Sequence, residues 1–351
     1  MRDVAVVSFA QAPSVRRELE RNEVEILMPV VHEAIARSGV PKEEIGFTVS
    51  GSSDYLAGQP FAFVTALDAV GPWPPIVESH VEMDGAWALY EGWVRLQHDE
   101  INSALVYAFG KSSLGDIKDI LALQLDPYLV APLWPDPVSI AALQARALLD
   151  SNGYTERDLA EVAVRSRANA KDNPNAQLAG DYEVDALLDE PYVVSPLRKH
   201  DCPPISDGAA AIVLAADDLA RGVCERPAWI RGIDHRIEPQ ALGARDLTRS
   251  ASAELAGKHA GVTNGDVNVA ELHAPFTHQE LILRDALRLG PDVTVNPSGG
   301  ALAANPVMVA GLIRIGEAAR RIMDGDAERA VAHATSGPCL QQNLVCVLEA
   351  A

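Results

Sequence analysis

Two carboxylates, Glu82 and Asp84, lie in the stretch 78–90, E-S-H-V-E-M-D-G-A-W-A-L-Y, where an apolar run closing at Val77 gives way to small residues and then to Ala88, Leu89, Trp93 and Leu96 at roughly helical spacing. The pattern predicts a strand end that turns into a buried helix. The first turn of such a helix offers unpaired backbone N–H donors and the positive end of the helix dipole, so it stabilises an anion held against it. Two uses follow for these acids: a reactive carboxylate in a site, or plain caps of the first turn.

The elements that would position them come from a 351-residue chain with 48% hydrophobic residues, enough to bury one large core or two similar ones. A net charge of -20 argues against nucleic acid or an anionic membrane as principal partner, since both would repel it. An anionic small molecule needs only a local basic patch and stays open. The opening M-R-D-V-A-V-V-S-F-A is too short for a signal peptide, and no apolar run approaches the roughly 18 residues of a membrane span, so the expectation is a soluble cytoplasmic protein. The four cysteines, Cys202, Cys224, Cys339 and Cys346, have no metal-ligand spacing and are too few for a disulfide framework; Cys202 and Cys346 read as buried small hydrophobes. There is no phosphate-binding loop, no G-x-G-x-x-G at a strand-to-helix turn and no H-E-x-x-H.

In chain order, strands are expected at 4–9, 45–50 and 104–109, with helices at about 24–38 and from the Asp84 turn to about 97. Residues 114–200 break the pattern with Pro127, Pro132, Pro135 and Pro137, then two helices at 139–150 and 156–170, the second with Thr155 as N-cap. Residues 209–215 resume as a strand. The second half repeats the plan, with strands at 228–233, 267–272, 330–334 and 344–348 and helices near 250–260, 278–289 and 307–323.

Three strings match in the same order across the halves. Residues 43–52 parallel 264–273, 101–111 parallel 326–337, and 207–215 parallel 341–349. The pattern predicts an internal duplication of a five-stranded α/β unit: 1–113 with 201–222 as the N-terminal half, 114–200 as an insertion, and 223–351 as the C-terminal half.

S-P-L-R-K-H-D-C-P-P-I-S-D-G-A-A-A-I-V-L-A (195–215), N-P-N-A-Q (173–177), E-L-H-A-P-F-T (271–277) and V-N-P-S-G-G-A-L-A-A-N-P (295–306) resemble the thiolase superfamily over nearly the whole chain. Specifically, they are similar to the thiolase domain of sterol carrier protein X and its lipid-transfer-protein relatives. The resemblance implies an α/β thiolase fold, a duplicated five-layered αβαβα arrangement with a loop and helix insertion in the first half. It also implies dimers, coenzyme A thioesters as substrates, no permanently bound cofactor and no metal, and chemistry at the carbon-carbon bond beside the thioester. Ser298, Gly299 and Gly300 fall in the glycine-rich string and are the expected coenzyme A contacts.

The departures from the family pattern bear on the chemistry. No cysteine precedes Cys202, and counting back from Gly85 puts Glu82, within one or two residues, where a thiolase has its nucleophilic cysteine. A carboxylate there cannot form an acyl thioester. The family's glycine-histidine-proline is Ala304-Asn305-Pro306, so Asn305 stands for the histidine; the active-site asparagine, a histidine in the sterol carrier branch, falls on His273; and the last cysteine has its nearest counterpart in Cys339. A retro-aldol cleavage of a 3-hydroxyacyl thioester needs a base and donors for the enolate oxygen but no covalent acyl enzyme. His273 and Asn305 are the expected donors and Glu82, in an apolar pocket, the base; Asp84 and Cys339 are further candidates. Relatives of this kind imply a homo- or heterodimer and a small acyl-CoA-binding partner subunit. A non-catalytic subunit, a carrier without chemistry and a thiolase using Cys339 are the rival readings. His80 and His333 read as structural.

Overall fold

The computed structural model describes residues 1–151 and 153–350. The strands are β1 (Val4–Gln11), β2 (Phe47–Gly51), β3 (Glu78–Val81), β4 (Ser103–Lys111), β5 (Tyr192–Val194), β6 (Leu197–Arg198), β7 (Asp207–Ala216), β8 (Ala228–Ile237), β9 (Val269–Leu272), β10 (Thr294–Val295), β11 (Arg329–Ser336) and β12 (Gln342–Glu349). In the N-terminal half the helices are α1 (Glu23–Ser38), α2 (Asp54–Ala57), α3 (Ala62–Val70) and α4 (Gly85–Leu96), and in the intervening segment α5 (Ile117–Leu123), α6 (Pro137–Ser151), α7 (Glu156–Asn169) and α8 (Val184–Leu188). They continue with α9 (Asp217–Val223), α10 (Ala251–Ala260), α11 (Thr277–Ala286), α12 (Gly300–Ala303) and α13 (Ala310–Met323).

Strands β4 and β7 are buried along their whole length because their alanine, valine and leucine runs have no polar face to turn to water. They form part of a ten-stranded sheet with the order β10-β9-β11-β12-β8-β1-β7-β4-β2-β3. From one edge inward, β3, β2 and β4 are parallel and β7 and β1 are antiparallel; from the other, β10, β9 and β11 are parallel and β12 and β8 are antiparallel. The two halves are therefore copies of one topology, with β2, β4 and β7 answering β9, β11 and β12. These are the strands within the three string matches. The half-sheets meet where β1 pairs with β8 through Ala5↔Trp229 and Val6↔Ala228.

Helices α4 and α13 supply Trp87, Leu89, Leu312 and Ile315 to a core shared with Val49, Val106, Leu344 and Cys346 of both half-sheets. On the opposite face of the N-terminal strands lie α1, α3 and α9, and on that of the C-terminal strands α10 and α11 with α6 and α7 of the insertion. This is the duplicated αβαβα layering, with α4 and α13 as the central helical layer. Among the described residues no helix is long and apolar enough to cross a membrane.

Local signals explain most boundaries. Asn22 and Glu25 close a capping box on α1 and Gly39 ends it in the left-handed region. Thr155 caps α7, with the Asp158 carboxylate accepting from its backbone N–H at 2.7 Å. The broken apolar stretch at 55–70 resolves into α2 and α3, while α5, α9 and the two-residue β10 carry too little periodicity to be read in advance.

Gly85 is one of the close-packed points of the central layer. A Cβ there would lie 2.6 Å from Ala108 Cβ and 2.9 Å from Leu312 Cδ2. Gly85→Ala is expected to lower unfolding free energy by about 1–3 kcal/mol through overpacking, whereas Gly222→Ala, with nothing within 4 Å of the added carbon, should leave it unchanged or slightly raised. Urea unfolding midpoints of the two variants check this.

Candidate active site

The turn after β3 does not present Glu82 to the interior. Its side chain is 48% exposed, accepts from Asp54 N at 2.8 Å and lies 3.4 Å from His80 Nε2. His80 itself is occupied structurally, stacked on Phe63 and bonded to Ser50 Oγ. Asp84, two residues further on, is the N-cap of α4 and only 3% exposed. Its Oδ1 accepts from Ala86 N at 2.9 Å and Leu312 N at 3.0 Å, and its Oδ2 from Gly311 N at 2.9 Å. One carboxylate thus caps the starts of both central helices. Burial pushes its carboxyl above the usual aspartate range, opposed by those three N–H donors and by Arg314.

Asp84 forms part of the wall of a cavity of about 350 Å³. The cavity is lined largely by apolar side chains of the insertion, among them Leu121, Leu125, Val138 and Ile140, and by Phe276, Met308 and Leu340 of the second half. His273, Asn305, Cys202, Cys339 and, at the exposed end, Lys118 are also in its lining. The proline-rich segment contributes Pro135 and Pro137.

His273 and Asn305 form a pair. His273 Nε2 lies 3.0 Å from Asn305 Oδ1, and His273 Nδ1 accepts from Thr335 N at 3.4 Å. Because Nδ1 accepts, the proton of the neutral ring sits on Nε2, and Asn305 must offer it the carbonyl oxygen. Among the described residues the Asn305 amide nitrogen has no protein acceptor, on a residue that lines the cavity. Burial, reinforced by His333 and Arg314 and opposed by the Asn305 bond, pushes His273 down to about 3, so the ring is neutral at physiological pH. The expectation of two donors thus narrows to one: His273 spends its N–H on Asn305, and the amide of Asn305 is the donor left for a ligand. The backbone contact from Thr335 that fixes this tautomer has no signal in the sequence.

The cavity cysteines are poor nucleophiles. Cys339 Sγ is directed at Ile140 O, 3.6 Å away, and burial pushes both this thiol and that of Cys202 up to about 12.

Ser298, Gly299 and Gly300 are buried away from the cavity lining. Ser298 donates from N and Oγ to the Glu271 carboxylate at 2.9 and 2.7 Å, and Arg314 Nη1 donates to both Ser298 Oγ and Glu271 Oε2. Gly299 has φ of 95°, and a Cβ on it would lie 2.6 Å from Ala170 Cβ and 2.7 Å from Ala303 Cβ. Gly299 permits close packing of the insertion on the second half.

No family model matches the chain. An acetyl-CoA acetyltransferase of Methanothermobacter thermautotrophicus is 30% identical over 303 residues, covering 75% of this chain and 78% of the relative. The chain belongs to the thiolase superfamily. A 17-hydroxy-3-oxo-4-pregnene-20-carboxyl-CoA lyase of Mycobacterium tuberculosis is 26% identical over 213 residues, 53% of this chain and 55% of the lyase. Among solved structures, an Ltp2-ChsH2(DUF35) aldolase superposes with a TM-score of 0.82 at 19% identity over 99% of this chain and 98% of that one, a likeness of fold. Within this thiolase-superfamily fold, the start of α4 carries a buried aspartate and the facing loop an asparagine.

Two measurements test the site's electrostatics. Asp84→Ala leaves three buried N–H groups without an acceptor and is expected to cost at least about 3 kcal/mol, with Asp84→Asn intermediate; a loss below about 0.5 kcal/mol in urea unfolding would sink the shared-cap account. Buried His273, His278 and His333 are held to about 3, 3 and 4, below the ordinary 6.5, so the unfolded chain binds more protons in this window. Stability is therefore lost as pH falls from about 6.5 toward 4, each histidine adding up to about 1.4 kcal/mol per pH unit to the slope. In His278→Gln, unfolding between pH 7.5 and 5 should show a shallower slope than the parent.

Proposed function

We propose that the chain is a thiolase-like acyl-CoA enzyme that cleaves a 3-hydroxyacyl thioester by a retro-aldol step, without a covalent acyl enzyme. The observation that carries this is the free Asn305 amide, aimed by a neutral His273 at an apolar cavity whose cysteines are held protonated. A thiolase step needs a thiolate. A retro-aldol step needs a donor at the thioester oxygen and a base at the hydroxyl.

In this reading the acyl group packs on the apolar wall and the thioester oxygen accepts from Asn305 Nδ2. Asp84 replaces Glu82 as the base, because it is the carboxylate in the cavity wall and its Oδ2 carries one protein bond against two on Oδ1. It takes the proton from the C3 hydroxyl; the C2–C3 bond breaks, its electron pair passes into the thioester enolate held by Asn305, and the proton returns to C2. The products are a ketone and a shortened acyl thioester. The names of the pregnene carboxyl-CoA lyase and the Ltp2-ChsH2 aldolase support this class of reaction, and the latter supports a partner subunit. Steroid or other lipid side-chain thioesters are the proposed substrates.

A second reading, a non-catalytic subunit of a heteromeric complex, draws support from the same bonds: Asp84 already caps two helices and both nitrogens of His273 are engaged. The test incubates the protein, alone and with candidate small partner subunits, with a branched 3-hydroxyacyl-CoA and follows ketone and shortened thioester by mass spectrometry. The retro-aldolase should cleave with no acyl adduct on the protein, and Asn305→Ala should lower kcat/KM by about 10²–10³, the loss typical of one oxyanion donor. Unchanged activity of the complex in both Asn305→Ala and Asp84→Asn favours the non-catalytic subunit, and an acyl adduct on Cys339 would return the chain to thiolase chemistry.

A further inference from the structure

The cavity wall at residues 336–340, the tip of the β11–β12 hairpin, is made in an unusual way. Cys339 and Leu340 are consecutive non-glycine residues in the left-handed region, at φ of 55° and 56°, and both are buried. Such a conformation costs of order 1 kcal/mol or more per residue and persists only where the surroundings over-determine it. Here the surroundings reach for its carbonyls. Arg245, in the loop after β8, donates through Nη2 to Pro338 O at 3.0 Å and through Nη1 to Cys339 O at 3.2 Å. Gln144 of α6 donates to Cys339 O at 3.4 Å, and Asn343, itself bonded to His333, donates to Leu340 O at 2.8 Å.

Arg245 is the odd member of this set. In a chain with 49 acids against 29 bases it is half-buried and forms no ion pair among the described residues. A guanidinium taken out of water usually takes a carboxylate. This one spends its fork on two peptide carbonyls.

We propose that Arg245 is a positioning residue that sets the acyl-group limit of the cavity, by drawing the carbonyls of Pro338 and Cys339 outward and holding the hairpin tip, with the Leu340 side chain, as a fixed wall. Ala122, Leu125 and Ile140 of the insertion form one apolar cluster with Cys339 beside this wall. Without the fork the strained tip relaxes, the wall recedes, and bulky and slender acyl groups are no longer told apart. The acyl-limit part of this inference rests on the acyl-thioester reading above; the clamp itself does not.

The experiment compares the parent with Arg245→Gln and with Arg245→Lys, which keeps the charge but loses the fork. Two readouts need no turnover: iodoacetamide labelling of each cysteine, resolved by peptide mass spectrometry, and binding of straight-chain against branched or alicyclic acyl-CoA by calorimetry. Arg245→Gln should label Cys339 at least about tenfold faster as the tip opens, keep Cys346 of β12 protected, and at least halve the ratio of the two affinities; Arg245→Lys should fall between. Parent-like labelling of Cys339 and an unchanged affinity ratio overturn the proposal. If Cys346 also labels, Arg245→Gln has unfolded, and parent-like behaviour of Arg245→Lys then overturns it. If the parent binds no acyl-CoA, the acyl limit falls together with the thioester reading, while faster Cys339 labelling would still report the clamp.

Discussion

Everything near the cavity hangs on one buried carboxylate shared between the two halves of the chain. Asp84 takes a donor from its own helix and two from the start of α13, more than 220 residues later in sequence. A second tie, Gly85 N to Met308 O at 2.9 Å, fastens the same turn to the loop that carries Asn305. Two helix N-termini face one another there, and their dipoles would repel without an acceptor between them. The carboxylate that joins the halves also lies in the cavity wall. Capping and chemistry, separate alternatives for this acid in the sequence, are compatible in the fold.

The duplication was legible because it is written in the order of buried strands, a pattern that tolerates drift in individual residues. Continuous apolar runs at β4, β7, β11 and β12 survive as runs whatever their composition. The turn at 82–84 was less legible. Glu82 and Asp84 are equivalent by residue type, and which one points inward depends on where the first helical turn closes, a matter of φ and ψ at a single residue. Asp84 caps and Glu82 faces water.

The surroundings of the glycine-rich string were illegible for a different reason. A glycine pair beside a serine reads as a ligand loop because small residues permit close approach, but close approach to what is not a local property. Here the neighbours are Ala170 of the insertion and the Glu271–Arg314 pair, and neither contact is implied by the string. His273 and Asn305 could each be placed by resemblance, but the hydrogen bond that gives one the proton and leaves the other its amide depends on Thr335, in a strand 62 residues beyond His273. Arg245 had no signal at all, since a lone arginine in a loop of an acidic protein reads as a solvated surface charge.

The sheet order has a consequence for how the chain is made. Strand β1 emerges first, yet both of its neighbours, β7 and β8, lie beyond the insertion, and β4 also waits for β7. About a hundred residues separate Lys111 from Asp207, so at typical synthesis rates the first half-sheet stands open for roughly 5–20 seconds while the insertion is translated. Helix α1 can cover one face of β1 in that interval, but the unpaired edges of β1 and β4 remain exposed to other chains. The insertion that shapes the cavity is thus also the delay during which the nascent protein is most open to aggregation, and slowing translation within it would lengthen that exposure.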